Sequence, residues 1–153
     1  MVVYADDLQP GQQFQLGSHT VTEQEIIEFG RLWDPLVMHT DPVAAADMPV
    51  GGVIASGLHT FAVYQRLAVA SFWHEFANGL GRGFEIEFRR PARPGTRLTG
   101  RVTVQSVTPR PGRGDAELTM AAELTDDRGT AVLTLRSHTV VPMRSAPGDG
   151  SPR

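Results

Sequence analysis

The chain contains no cysteine. That absence removes disulfide frameworks, thiolate metal sites and cysteine nucleophiles together. A basic excess is missing too: 14 Lys and Arg stand against 17 Asp and Glu, a formal net charge of -3, so nothing marks a nucleic-acid surface. No apolar run approaches the roughly 20 residues that a membrane-spanning helix requires. Acids at Asp6 and Asp7 fall too early for a secretory leader. The expected setting is therefore cytoplasmic, without a nucleic-acid or membrane partner. Its 153 residues, with no internal repeat and no second-domain linker, fit one domain.

Three short motifs fail on inspection. His74-Glu75-Phe76-Ala77-Asn78 begins as a zinc-protease helix does, but Asn78 stands where the second histidine would share the metal. No metal is expected. Ser56 lacks the glycines two positions to either side that a nucleophile elbow needs, since Ile54 and Leu58 occupy them. The glycines of 79–83 precede a strand rather than open a helix, so no helix dipole is available there for phosphate. The expectation is a flexible connection.

What is present divides into a helical part and a β part. Thr22 followed by Glu25, with Val21 and Ile26 flanking, has the form of a capping box and hydrophobic staple. It predicts a helix over Glu23–Trp33, ended by the Pro35 constraint on Asp34. Residues 36–40 read as irregular. Asp41-Pro42 reads as N-cap and first residue of a short helix through the alanines at 44–46. A third helix, Leu58 to about Phe72, has Arg66 as its only formal charge and is expected to be buried. Strands are expected at 14–21, 84–89, 98–107, 116–124 and 130–141, with a loop at 109–114 and a hairpin turn at Asp126–Gly129. Segregated helices and an antiparallel sheet give an α+β class: one apolar helix wrapped by a curled sheet. The domain is expected to span 1–141, with a disordered tail from Pro142. One short chain cannot cover that helix on all sides, so a homodimer is expected.

The stretch Asp34-Pro35-Leu36-Val37-Met38-His39 is the most informative for chemistry. Five residues of helix would set Asp34 and His39 about 140° apart, and a strand would put them on opposite faces. A bend at Pro35 can bring them together. A carboxylate and an imidazole facing one cavity can hold a water, one accepting its proton and the other delivering one. The plainer reading is equally open here: Asp before Pro as a turn residue, and a loop histidine as a hydrogen-bonding spacer.

Taken in order, Leu8-Gln9-Pro10-Gly11-Gln12 with Phe14, Val21-Thr22-Glu23, Asp34 with His39 and Asp41, Ile54-Ala55-Ser56-Gly57-Leu58, and Arg90-Pro91 with Pro94-Gly95 resemble the MaoC-like dehydratase family. The resemblance runs from about Leu8 to Val141 and includes the (R)-specific enoyl-CoA hydratases. It implies a hotdog fold, dimerised through its sheets, with Asp34 and His39 as the catalytic pair. It implies the Gly57 amide as oxyanion donor at the start of the central helix, which makes physical sense because helix N-termini offer free N–H groups. Ser56, Gln65, Arg90 and Arg93 are the expected substrate contacts. The implied reaction is reversible hydration of a 2-enoyl-CoA to a 3-hydroxyacyl-CoA, with coenzyme A arriving as part of the substrate and no resident cofactor. A hotdog thioesterase and a non-catalytic acyl-CoA-binding or heteromeric subunit are the alternatives, because one fold serves all three. Two departures stand out. Pro follows Asp34 directly where the usual pattern is Asp-x-Asn-Pro-x-His, and Ser56 replaces a histidine before the glycine.

Overall fold

A computed structural model describes residues 1–144. Four helices and five strands follow in the order β1 (Gln13–Thr20), α1 (Glu23–Trp33), α2 (Val37–Thr40), α3 (Pro42–Ala46), α4 (Gly57–Ser71), β2 (Leu80–Phe88), β3 (Arg97–Arg110), β4 (Asp115–Thr125) and β5 (Ala131–Pro142). The strands form one antiparallel sheet in the order β1-β3-β4-β5-β2. Alternate residues of β3 and β4 are buried, Leu98, Val102 and Val104 facing the same core as Ala116, Leu118, Met120 and Leu124. That alternation is the period-two pattern of a sheet covered on one side. The cover is α4, which packs on β1 and β3 with Val63, Tyr64 and Ala68 turned inward. The expected α+β arrangement, one helix wrapped by a curled sheet, is what the chain forms.

Local chemistry explains where the helices sit. The Thr22 hydroxyl accepts from the Glu25 amide at 3.1 Å, and the Glu25 carboxylate accepts from the Thr22 amide at 2.8 Å. Val21 and Ile26 are buried beside this cap. Asp34 leaves the helical region at φ −155°, ψ 73°, as the following proline requires. Asp41 caps α3 through bonds of 3.0 Å from the amides of Val43 and Ala44. The Ser56 hydroxyl caps α4, accepting from the Leu58 amide at 3.2 Å.

Four expectations need correction. Residues 37–40 are not irregular but make the single turn α2, too short for any periodicity to reveal. The glycine-rich segment is not a loose connection: β2 begins at Leu80 and pairs with Val140 and Thr139 of β5, slipping register between Gly81 and Gly83. There the cross-strand partner overrides glycine's weak strand preference. β3 continues through Pro109 to Arg110, where the guanidinium grips the Asp115 carboxylate with two bonds of 2.7 Å. Finally, β5 includes Pro142. Met143 donates its amide to the Gly114 carbonyl, and Arg144 pairs with Asp7 at 2.7 Å. Of the tail expected to be disordered, 145–153 lies outside the described residues.

Burial of α4 is also one-sided. Leu58 and Val69 remain 53% and 43% exposed. The neighbouring edge strand β2 leaves Phe84 41% exposed, even though its ring meets Phe61 of α4 edge-on at 4.9 Å. Among the described residues no helix is long and apolar enough to cross a membrane.

Candidate active site

Asp34 terminates α1, and His39 sits on the one-turn α2. Pro35 and the extended Leu36 turn the chain between them, so two residues that regular structure would separate face each other. The Asp34 Oδ2 and His39 Nε2 atoms are 3.4 Å apart. Gly30 makes this fold-back possible. A Cβ there would lie 2.5 Å from the His39 carbonyl oxygen and 2.9 Å from its Cβ, so α1 and α2 approach closely only because position 30 has no side chain.

The hydrogen bonds around the pair define its state. His39 is buried, and its Nδ1 lies 2.7 Å from the Ile54 carbonyl oxygen. A carbonyl only accepts, so Nδ1 donates to it, and Nε2 is the ring nitrogen left facing Asp34. Asp34 Oδ2 accepts a 2.7 Å bond from the Ser56 hydroxyl. That hydroxyl is fixed at both ends, donating to Asp34 and accepting from the Leu58 amide. The first amide of α4, that of Gly57, donates to none of the described acceptors. Two polar side-chain atoms 3.4 Å apart and a free amide thus face one space.

These groups line one cavity of about 380 Å³, together with Ile54, Ala55, Thr60 and residues 88–92. The cavity brings together five of the seven expected site residues: Asp34, His39, Ser56, Gly57 and Arg90. It does not include Gln65 or Arg93. Gln65 lies further along α4 and lines a separate hollow with Val69, Trp73 and Phe84, because eight residues of helix carry it about 12 Å from Gly57. Arg93 donates instead to the Val50 carbonyl at 2.7 Å. The aromatic stretch that follows α4 packs away from the cavity: Phe72, Trp73 and Phe76 cluster with Phe14 at the far end of the helix.

A sequence model of the MaoC like domain matches residues 7–125. The chain belongs to the MaoC-like domain family. A MaoC-like dehydratase from Rhodospirillum rubrum is 32% identical, with a TM-score of 0.86 over 94% of this chain and 99% of that one. The R-hydratase PhaJ1 of Pseudomonas aeruginosa, unliganded, shares the fold at a TM-score of 0.78 with 19% identity, over 99% of this chain and 96% of that one. Among curated proteins, the uncharacterised YdeM of Bacillus subtilis is 36% identical over 62 residues, 40% of this chain. That match spans 44% of YdeM, less than half its length. The wrapped helix is thus the hotdog fold of MaoC-like proteins.

Within this MaoC-like frame, three contributors to the site went unread in the sequence. Gly30 had a signal, since glycine inside a helix costs about 1 kcal/mol against alanine and calls for a packing reason. The Ile54 carbonyl had none, because a backbone acceptor is blind to residue type. Phe88 falls within the strand expected at 84–89, and nothing in that pattern marks it for a site. In the fold it reaches Gly57, where a Cβ would lie 2.7 Å from the ring tip.

Proposed function

We propose that this MaoC-like protein is a hydro-lyase that adds water reversibly across the double bond of a 2-enoyl-CoA. The observation that carries the reading is the approach of His39 Nε2 to Asp34 Oδ2 at 3.4 Å, beside the unused Gly57 amide; with the imidazole neutral, both atoms accept. A water donating to both acceptors presents its own lone pair to C3. As its oxygen bonds to C3, one member of the pair takes a water proton. The π electrons of C2=C3 move toward the thioester carbonyl, whose developing negative charge meets the Gly57 N–H and the positive end of α4. The pair then returns a proton to C2, so the net addition is OH at C3 and H at C2. Ser56 holds the Asp34 carboxylate in place. Coenzyme A enters as part of the substrate, and Arg90 at the cavity edge is available to its phosphates.

A homodimer completes the assignment. β2 is an edge strand with one side unpaired, and Leu58, Val69 and Phe84 form an apolar face beside it. A second copy laid along β2 would cover that face and cap the strand, which otherwise invites pairing with other chains. Light scattering should give twice the chain mass, and a monomeric mass would exclude it.

The reaction is tested with crotonyl-CoA and longer enoyl-CoAs, following enoyl absorbance and free thiol together. Loss of absorbance without thiol is the expected result. Thiol release would point to a thioesterase, and silence in both channels to a binding protein. Asp34→Asn should lower kcat by about 10²–10⁴-fold, the usual contribution of general acid–base catalysis. A fully active Asp34→Asn would refute the mechanism.

A further inference from the structure

Phe88 is the last residue of β2, on the same inward face as Phe84 and Ile86, since their partners Leu133, Ser137 and Leu135 are all buried. Its ring points at the start of α4. The three outermost ring carbons lie 2.7, 2.8 and 2.9 Å from where a Gly57 Cβ would be. No real Cβ tolerates such contacts, so the ring occupies the space that any other residue at 57 would claim. Phe88 is also 55% exposed and lines the cavity that holds Asp34 and His39. The side chain is therefore fitted against the glycine with one edge and open to the cavity with the rest.

We infer that Phe88 is a specificity-determining residue that excludes substituents on C2, the carbon next to the thioester carbonyl. The inference rests on the enoyl-CoA reading above, in which the Gly57 amide holds the carbonyl oxygen. An oxygen bonded to that amide lies about 2.9 Å from the nitrogen, and C2 is two bonds beyond it. Of the acyl carbons that can carry a branch, C2 thus comes nearest to a ring seated on Gly57. A straight chain presents only a hydrogen there. A methyl branch adds a group of carbon size where the phenyl edge already stands. Atoms further along the chain move away from Gly57 and feel the ring less, so the filter acts on branching and not on length.

The test compares the native protein with Phe88→Ala and Phe88→Leu. Hydration of 2-methylcrotonyl-CoA and crotonyl-CoA is measured as kcat/KM. Binding of the saturated 2-methylbutanoyl-CoA and butanoyl-CoA is measured alongside by calorimetry. Phe88→Ala should raise the branched-to-straight ratio at least about tenfold in both measurements, equal to about 1.4 kcal/mol of discrimination. Phe88→Leu should fall between Phe88→Ala and the native protein, and it keeps the comparison alive if the alanine variant does not fold. An unmoved ratio in a variant that hydrates crotonyl-CoA overturns the role of Phe88 and leaves the reaction standing. A shifted binding ratio with no hydration by any form overturns the reaction and leaves the filter standing. A native protein that binds neither saturated thioester overturns both.

Discussion

The two ends of α4 are built on opposite principles. At the C-terminal end the helix runs into an apolar cluster: Phe72 stacks on Phe14 with ring centroids 4.7 Å apart and meets Phe76 edge-on at 5.4 Å. The Ser71 hydroxyl closes that end by donating to the Leu16 carbonyl at 3.0 Å. At the N-terminal end the same helix meets a carboxylate, an imidazole, a serine hydroxyl and a glycine amide that has no acceptor among the described residues. One end converts apolar area into stability. The other keeps polar groups poised for something outside the chain. A pocket needs both: donors that the protein leaves unused, and a distant anchor that supplies the stability those unused donors forgo.

The sharpest way to break this comparison is to remove the anchor. Phe72 is almost wholly buried, and truncating a core phenylalanine costs about 3–5 kcal/mol. Phe72→Ala should therefore lower the melting temperature by roughly 10 °C for a chain of this size. Activity per folded molecule should change little, because the cavity lies at the other end. Thermal denaturation paired with kcat on the folded fraction checks both halves. A collapse of kcat with an unchanged melting temperature would mean that the two ends do not divide their labour this way.

The anchor and the polar end were not equally legible. Aromatic residues at 72, 73 and 76 are visible in any sequence, but their clustering with Phe14 at the far end of α4 is a three-dimensional fact. Capping residues translated well: Thr22 with Glu25 and Asp41 with Pro42 act within three residues of chain, whereas the Ser56 cap went unread. Gln65 and Arg93 fall outside the cavity of Asp34 and His39, and nothing local in a sequence says which side of a helix or loop will face a cavity. The pairing of Asp34 with His39 rested on Pro35, yet the element that closes it, Gly30 under the His39 carbonyl, belongs to a different helix. Contacts between elements decide such features, and a single sequence carries them only as an unexplained glycine.

A smaller effect should come from Ser56. Its hydroxyl is both the N-cap of α4 and the donor to Asp34. Ser56→Ala should cost about 1 kcal/mol as a lost cap. It should also lower kcat by roughly one to two decades, since a hydrogen bond to a charged group contributes about 1.5–3 kcal/mol. The two readouts separate the roles: melting temperature reports the cap, and kcat reports the hold on the carboxylate. A variant that loses stability but keeps the native kcat would show that Asp34 needs no support from Ser56. The polar end of α4 would then be less interdependent than the geometry implies.

The smallest effect tests whether the polar end costs stability, as the comparison requires. His59 lies one turn into α4, is 6% exposed, and stacks on Phe29 at 4.8 Å. Its Nδ1 is buried without a hydrogen-bond partner. Burial holds the imidazole below its ordinary value of 6.5, with Glu25 pulling it up and His19 pushing it down. In the unfolded chain the ring takes a proton near 6.5, while in the fold it does so only at lower pH. Between those two values the unfolded state binds more protons, so stability rises with pH there. It is fully present above 6.5 and drains away as pH falls through the folded value. Glu25 acts in a separate, more acidic window. Burial opposes its carboxylate, but the bonds from the Thr22 amide and His19 outweigh that and keep its pKa below 4.5, so its contribution persists until the pH falls beneath that value. Melting temperature followed between about pH 7.5 and 5.5 should therefore decline in the native protein, and His59→Gln should flatten the decline. If His59→Gln follows the native curve, the buried imidazole is not what makes this end of the helix sensitive to acid.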